Sequence, residues 1–341
     1  MKAGIRGLII TAAFIGPGTV TTATLVGGQT AYALVWLLIF AIVATYILQE
    51  MAARLGTVSG LGLSQAIMQS LRQRSARLIV AALVIVAIGV GNAAYEGGNI
   101  TGAALGLSAS FGGDLSTWAL ALGAIATLLL LSGHYSLVEK SLVGLVVLMS
   151  IVFISLMLFV GINTDLLWQG LRLSQNPLAT PALALAIIGT TIVPYNLFLH
   201  AGLSADASQQ KNAQNESFEA ADAASINSQN RQLAISIALG GLVTFAILSS
   251  SVTAFFVSQT SVDKTNIASQ LSPLLGENAS LFFGVGLFAA GLTSALTAPL
   301  AAAYAIGGLF GWQCSLKDTR FKLTAIAIVV IGTAAAGLGL K

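Results

Sequence analysis

Two short stretches place helix-breaking residues and side-chain oxygens inside otherwise apolar sequence. They are FIGPGTVTTA at 14–23 and IIGTTIVPYNLFLHAG at 187–202, and each has a proline near its centre, Pro17 and Pro194. A proline inside a helix removes a backbone donor and clashes with the carbonyl four residues earlier. Backbone and threonine oxygens freed in this way could hold a cation or a polar solute.

The composition identifies the environment of these stretches. Hydrophobic residues make up 56% of the 341 residues, charged residues make up 8%, and the mean hydropathy is +0.89. A soluble domain carries about 25% charged residues, so the chain is predicted to be an all-α integral membrane protein. The single cysteine, Cys314, excludes a disulfide framework. The net charge of +3 is explained by basic residues that flank helices, so nucleic acid is not a predicted partner.

Nine segments are long and apolar enough to cross a bilayer, which takes about 20 residues. The predicted spans are 7–30, 31–53, 77–98, 115–132, 136–161, 179–202, 232–257, 279–310 and 321–340. The first span also resembles a signal peptide, because Lys2 and Arg6 precede its apolar run. Eight later spans need no cleavable signal, so a membrane span is the preferred interpretation.

The distribution of basic residues predicts the orientation. Of the 15 Lys and Arg residues, only Arg172, Lys264 and Lys341 lie opposite the N-terminus. The positive-inside rule therefore predicts a multi-pass protein of the inner or plasma membrane with a cytoplasmic N-terminus. The longest polar stretch, 203–231, is then a cytoplasmic loop that we expect to carry a short surface helix.

The two breaks occupy corresponding positions, five spans apart. One break alone is more often a kinked packing helix. Two matched breaks are typical of inverted-repeat transporters, whose substrate site lies near the membrane midplane between the repeats. Freed backbone groups in lipid must line a cavity or meet protein partners. We therefore predict that Gly16–Thr19 and Thr190–Val193 are unwound and face each other.

Four stretches resemble the Nramp family of divalent-metal transporters. They match its first, second, sixth and eighth helices, and they are GPGTVTTA followed by YALVWLLI, LQEMAARLGTVSGLGLSQAI, IIGTTIVPYNLFLHAGL and LFFGVGLFAAGLTSALTAPLAAAYAIGGLFG. The resemblance implies the LeuT fold with discontinuous first and sixth helices. It also implies a first five-helix repeat over 1–161 and an inverted, incomplete second repeat over 179–341. The family's tenth helix is missing after the ninth span, which indicates either a truncated chain or a repeat without its last helix.

The site residues implied by the resemblance differ from the family pattern. The family holds its metal with an aspartate and an asparagine in the first break, and with a methionine and a backbone carbonyl in the sixth helix. The matching positions here are Gly16, Thr19, Val193 and, near the carbonyl, Thr190. The substrate-binding residues are thus expected to be Gly16, Thr19, Thr22, Thr190, Val193, Tyr195 and Asn196. Tyr195 replaces a histidine of the family, and His200 is retained. Further neutral polar side chains near the two breaks are Thr21, Gln29 and Thr191.

The chemistry of this set argues against a tightly held transition metal. Hard divalent ions prefer carboxylates, and thioethers help to select softer metals. Neutral hydroxyls, amides and carbonyls suit a partly hydrated divalent cation or, alternatively, a neutral solute such as a sugar or polyol. A degenerate copy without transport is the third interpretation, and each threonine could instead bond to its own helix. The expected partners are a small solute or cation and the lipid bilayer, and no cofactor is predicted.

One acidic residue falls inside the third span, within GNAAYEGGNITGAALGL. The family carries two acids here, three residues apart, on its proton route. This chain has Glu96 at the first of these positions and Asn99 at the second. Because one acid is missing, the resemblance implies at most a weakened proton route. Alternatively, Glu96 lies in solvent at the outer interface. Glu50 and Arg54, spaced i, i+4, are predicted to form a structural ion pair. Motifs such as HExxH or a phosphate-binding loop are absent, so an enzyme is not predicted.

Overall fold

The computed structural model describes residues 13–172, 180–213, 223–262, 279–312 and 314–339, and its regular structure in these ranges is helical. The helices are α1 (Pro17–Thr30), α2 (Val35–Ser59), α3 (Leu63–Ser70), α4 (Arg74–Phe111), α5 (Leu115–Leu131), α6 (Tyr135–Val160), α7 (Thr164–Leu171), α8 (Pro181–Thr191), α9 (Tyr195–Ala213), α10 (Ala223–Ser251, continued as a π-helical segment over Val252–Val257), α11 (Ala279–Phe310) and α12 (Thr319–Gly337).

The long apolar helices account for the predicted spans. Seven helices in the described ranges are long and apolar enough to cross a membrane, counting α8 and α9 as one interrupted span. The shorter apolar helix α5 and the broken first helix match the two remaining predictions. On α4, large aliphatic side chains such as Leu78, Ile79 and Leu83 are exposed, as expected for a surface that faces lipid.

Local sequence signals explain several helix ends. Asp114 accepts a hydrogen bond from the Thr117 amide at 2.9 Å, and Asp318 accepts one from the Phe321 amide at 3.0 Å. These side chains satisfy amides that have no partner within the first turn of a helix. Helix α2 ends at Gly60, whose φ of 65° favours glycine.

The polar stretch 203–231 differs from the predicted loop. Helix α9 continues through it to Ala213 and α10 begins at Ala223, so its two ends extend the neighbouring helices. Residues 214–222 lie outside the described ranges. Alanine and glutamine, which are frequent in this stretch, have good helix propensity, and this explains why α9 extends into it as far as Ala213.

Small residues bring α4 and α11 into close contact. Gly291 of α11 packs on the backbone of Ala103, and Gly284 packs on Ser110 at the next contact along α4. Helices in a membrane associate through such small residues, because lipid supplies no hydrophobic driving force between them. Helix α4 also contains a π-helical segment, Ile85–Val90, which ends six residues before Glu96. The α4–α11 pair thereby forms a rigid wall beside the first break.

Candidate functional site between the two broken helices

The first break is shorter than predicted. Ala13 and Phe14 are helical, Ile15 and Gly16 are not, and α1 begins at Pro17. The predicted unwound segment Gly16–Thr19 is therefore wrong in extent. Proline is favoured at the first position of a helix, where its missing N–H has no partner to lose, so Gly18 and Thr19 join the new helix.

The second break lies slightly later than predicted. Helix α8 runs through Thr191, the next three residues are non-helical, and α9 begins at Tyr195. The prediction of Thr190–Val193 is correct for Ile192 and Val193 and wrong for Thr190 and Thr191, which are helical. The Ile192 amide still donates to the Ile188 carbonyl at 2.8 Å. The helix fails where Pro194 offers no N–H to continue it.

Each proline releases one carbonyl, and each released carbonyl meets the other break. Pro17 cannot bond to the carbonyl of Ala13, and Pro194 cannot bond to that of Thr190. The Tyr195 hydroxyl donates to the Ala13 oxygen at 3.0 Å. The Thr19 hydroxyl lies 3.3 Å from the Thr190 oxygen, and also 2.8 Å from the Phe14 oxygen. The predicted facing of the two breaks is thus present, and the two contacts are reciprocal.

The other predicted threonines contribute in different ways. The Thr190 hydroxyl bonds to the Ala186 carbonyl at 2.9 Å and the Thr191 hydroxyl to the Ile187 carbonyl at 2.8 Å. Both side chains therefore bond to their own helix, and Thr190 meets the first break through its backbone. Thr22 is partly exposed and Gln29 is exposed, and neither takes part in the bonds between the breaks.

Gly16 is enclosed by polar groups that the sequence alone did not reveal. A Cβ atom at Gly16 would lie 2.6 Å from Ser294 Oγ and 3.7 Å from Asn99 Oδ1. The backbone there, with φ −116° and ψ −178°, is extended and suits any residue. A serine of α11 and an amide of α4 therefore occupy the space where a longer side chain would project. Only the small polar run around Ser294 hinted at this contact.

Val193, which lies within the second break, and Asn196, which follows it, have different surroundings. Asn196 is 1% exposed, and in the described part of the chain its Oδ1 has no hydrogen-bond partner. Val193 is partly buried and packs against both large apolar clusters of the protein. The position that resemblance assigns to a thioether is therefore a hydrophobic contact. The amide oxygen of Asn196 is therefore available to accept a hydrogen bond from a ligand or to coordinate a cation.

Glu96 is fully buried, so the alternative of a solvated interfacial residue is wrong. Its side chain is 0% exposed, and Oε2 accepts a hydrogen bond from Asn99 Nδ2 at 3.2 Å. Its other oxygen, Oε1, has no hydrogen-bond partner among the residues that the structure describes. Gly332 of α12 packs directly on the Glu96 side chain.

Glu50 and Arg54 form the predicted ion pair. Asn230 Nδ2 also donates a hydrogen bond to Glu50 Oε1 at 3.3 Å.

A polar seam between α2 and α9 runs away from the second break. Thr45 donates to the Thr191 carbonyl at 3.2 Å, and His200 Nδ1 lies 2.9 Å from Gln49 Oε1. Further along, Ser208 donates to the Thr57 carbonyl at 3.0 Å. The seam leads towards Asp206, which accepts a hydrogen bond from Tyr304 at 2.6 Å beside a cavity of about 470 Å³. Residue pairing across helices could not be read from one sequence.

The potential ligands in the site are mainly neutral oxygens. Within the described part of the chain, no three His, Cys, Asp or Glu side chains cluster as a metal site. The carbonyls of Ala13 and Thr190, the hydroxyls of Thr19 and Tyr195, and the Asn196 amide converge on the breaks. Oxygen donors of this kind suit hard cations or polar solutes.

Two facing broken helices in a bundle of apolar spans define a membrane transporter of the LeuT fold, and solved structures agree. The Eremococcus coleocola manganese transporter superposes with a TM-score of 0.73 at 20% identity, over 96% of this chain and 69% of that one. A nucleobase-cation-symport-1 family transporter, in a closed conformation with bromovinylhydantoin bound, superposes with a TM-score of 0.66 at 16% identity, over 98% of this chain and 71% of that one. The predicted fold is confirmed.

The family follows from the sequence comparison. Residues 7–340 match the model described as "Natural resistance-associated macrophage protein-like", and the chain belongs to this family. Sequences named as divalent metal cation transporters MntH are similar to this chain. The MntH of Erwinia tasmaniensis is 26% identical, and the MntH of Pectobacterium carotovorum is 28% identical. Each alignment covers 93% of this chain and 75% of the relative. The prediction of a transporter and not an enzyme is confirmed at the level of the family.

Proposed function

We propose that this protein carries a hard divalent cation, with part of its hydration water, across the membrane through the site between the two breaks. The observation that carries the proposal is the reciprocal contact in which each carbonyl released by a proline meets a hydroxyl of the other break. When the breaks separate, both carbonyls and both hydroxyls become available to a cargo. Alternating access then consists of making and breaking this contact.

The donor chemistry favours a cation that keeps some water. A magnesium-like ion dehydrates reluctantly and usually retains several waters, whereas calcium accepts many oxygen ligands. Softer transition metals gain from thioether or imidazole ligands, and Val193 and Tyr195 supply neither. The similar MntH proteins are named as divalent metal cation transporters, which supports a divalent cation as the cargo.

The proposal includes the placement of the protein in the membrane. The N-terminus and the α9–α10 connection face the cytoplasm, as the basic residues indicate. The two breaks belong to two inverted repeats, 1–161 and 179–341. The cavity beside Asp206 then opens on the cytoplasmic side and receives the released cation.

A matched pair of variants tests the proposal. Thr19→Val removes a hydroxyl that lies between the breaks, and Thr24→Val removes one that bonds to the Val20 carbonyl of its own helix at 2.8 Å. Purified protein is placed in vesicles that contain a divalent-cation indicator. We expect the parent and Thr24→Val to admit Mg²⁺, and Thr19→Val to admit it about tenfold more slowly because one ligand is lost. Equal rates for the two variants would contradict the proposed site.

A further inference from the structure

We infer that Glu96 of α4 supplies the negative charge for the cation that the first break lacks. The inference rests on the proposed function, and it assigns the site a charged ligand from a third helix. Position 16 carries no carboxylate, so a cation held between the breaks by neutral oxygens alone has no counter-charge nearby. A divalent ion in a low-dielectric site without charge compensation is costly.

The geometry places Glu96 beside the first break. Asn99 is the connecting residue: its Nδ2 donates to Glu96 Oε2 at 3.2 Å, and its Oδ1 lies 3.7 Å from where a Gly16 Cβ atom would be. Gly102, one turn further along α4, packs directly on Pro17. The carboxylate of Glu96 is therefore one amide group away from the place where a side chain of residue 16 would stand.

Glu96 also lies beside the second break. Tyr95, the residue before Glu96, has its ring 6.5 Å from the ring of Tyr195, and Tyr195 is the residue that bonds to Ala13. One buried acid is thus adjacent to both halves of the site. Because Glu96 lies on α4 and on neither broken helix, its carboxylate can stay near the cation when the two breaks separate.

The carboxylate has an unused oxygen. Glu96 is 0% exposed, and its Oε2 accepts a hydrogen bond from Asn99. Its Oε1 has no hydrogen-bond partner within the described ranges. A buried carboxylate oxygen without a partner is rare and costly, and ionisable residues inside a membrane mark ion pathways. A cation bound in the site could be coordinated by this oxygen.

Moving the charge tests the inference more sharply than removing it. Glu96→Gln keeps the shape and the Asn99 contact but not the charge, and Glu96→Asp keeps the charge. Gly16→Asp with Glu96→Gln returns a carboxylate to the first break. This needs Ser294→Ala, since Ser294 Oγ would lie 2.6 Å from the new Cβ, and Glu96→Gln with Ser294→Ala is the matched control.

Binding is measured on purified protein in detergent, as the rise in unfolding temperature with MgCl₂ compared with NaCl of equal ionic strength. We expect Glu96→Gln to bind Mg²⁺ about tenfold or more weakly, Glu96→Asp to keep most of the affinity, and the relocated carboxylate to regain affinity over its control. Parent and Glu96→Gln that bind Mg²⁺ equally would overturn the inference alone. A parent that binds no divalent cation would overturn the proposed function as well.

Discussion

Tyr195 donates its hydroxyl proton to the Ala13 carbonyl at 3.0 Å, across the gap between the two broken helices. Ala13 is four residues before Pro17, so its carbonyl has no amide partner in its own helix. Tyr195 is buried, and the contact closes the site from one side. The Thr19–Thr190 contact closes it from the other.

Loss of the Tyr195 hydroxyl should weaken this closure. Tyr195→Phe leaves the Ala13 carbonyl unsatisfied, and we expect a cost of about 1–3 kcal/mol in stability. Tyr95→Phe is the control, because the neighbouring Tyr95 is 65% exposed and its ring lies 6.5 Å from that of Tyr195. Thermal unfolding in detergent measures both. Equal destabilisation by the two variants would show that the Ala13 contact carries no special weight.

The sequence predicted the breaks because their cause is local. Pro17 and Pro194 each remove a backbone donor, and apolar runs on both sides require the freed groups to meet protein. The breaks were misplaced by one to three residues because a proline is compatible with the first turn of a helix, so Thr19 joins α1.

Contacts between distant helices could not be predicted in the same way. Ser294 and Asn99 enclose Gly16, and His200 meets Gln49, only because α4, α9 and α11 pack where they do. No periodicity within one helix encodes such a pair. Helix α9 continues to Ala213, into the predicted loop, because a polar sequence can still have good helix propensity.

Transition metals and Cd²⁺ should bind weakly. Without a carboxylate at 16 and a thioether at 193, we expect Mn²⁺ and Cd²⁺ to bind no tighter than roughly millimolar. Calorimetric titration measures the affinity. Gly16→Asp, Thr19→Asn and Val193→Met together with Ser294→Ala should raise Cd²⁺ affinity at least tenfold, about 1.4 kcal/mol. Micromolar Cd²⁺ binding by the parent would refute the assignment of hard-ion selectivity.

Labelling of introduced cysteines should report a cytoplasmic N-terminus. Burial raises the pKa of the Cys314 thiol to about 12, helped by Asp206 and Asp318. Since the thiolate is the reactive form, Cys314 should label slowly at neutral pH and is best replaced by serine. In intact cells, an impermeant maleimide should modify Thr164→Cys and spare Ser75→Cys, both at exposed positions. The reverse pattern would invert the orientation.

Cation flux should proceed with little proton movement. By the resemblance, Asn99 stands where the family has its second acid and Gly16 where it has the aspartate of the first break, so Glu96 is the one acid left at these three positions. Vesicles that hold both a pH dye and a divalent-cation indicator report the two fluxes together. We expect the internal pH to stay constant while Mg²⁺ enters. Proton entry that scales with Mg²⁺ entry, and is lost in Glu96→Gln, would show that Glu96 carries protons.

The most direct test of the central claim compares a cation with a neutral solute in the same vesicles. Parallel preparations receive Mg²⁺, read by an internal indicator, or a radiolabelled polyol, read by filtration, with protein-free vesicles as the control. The claim predicts saturable Mg²⁺ entry that Ca²⁺ inhibits, and polyol entry no faster than in protein-free vesicles. Saturable polyol entry without any Mg²⁺ flux would contradict it.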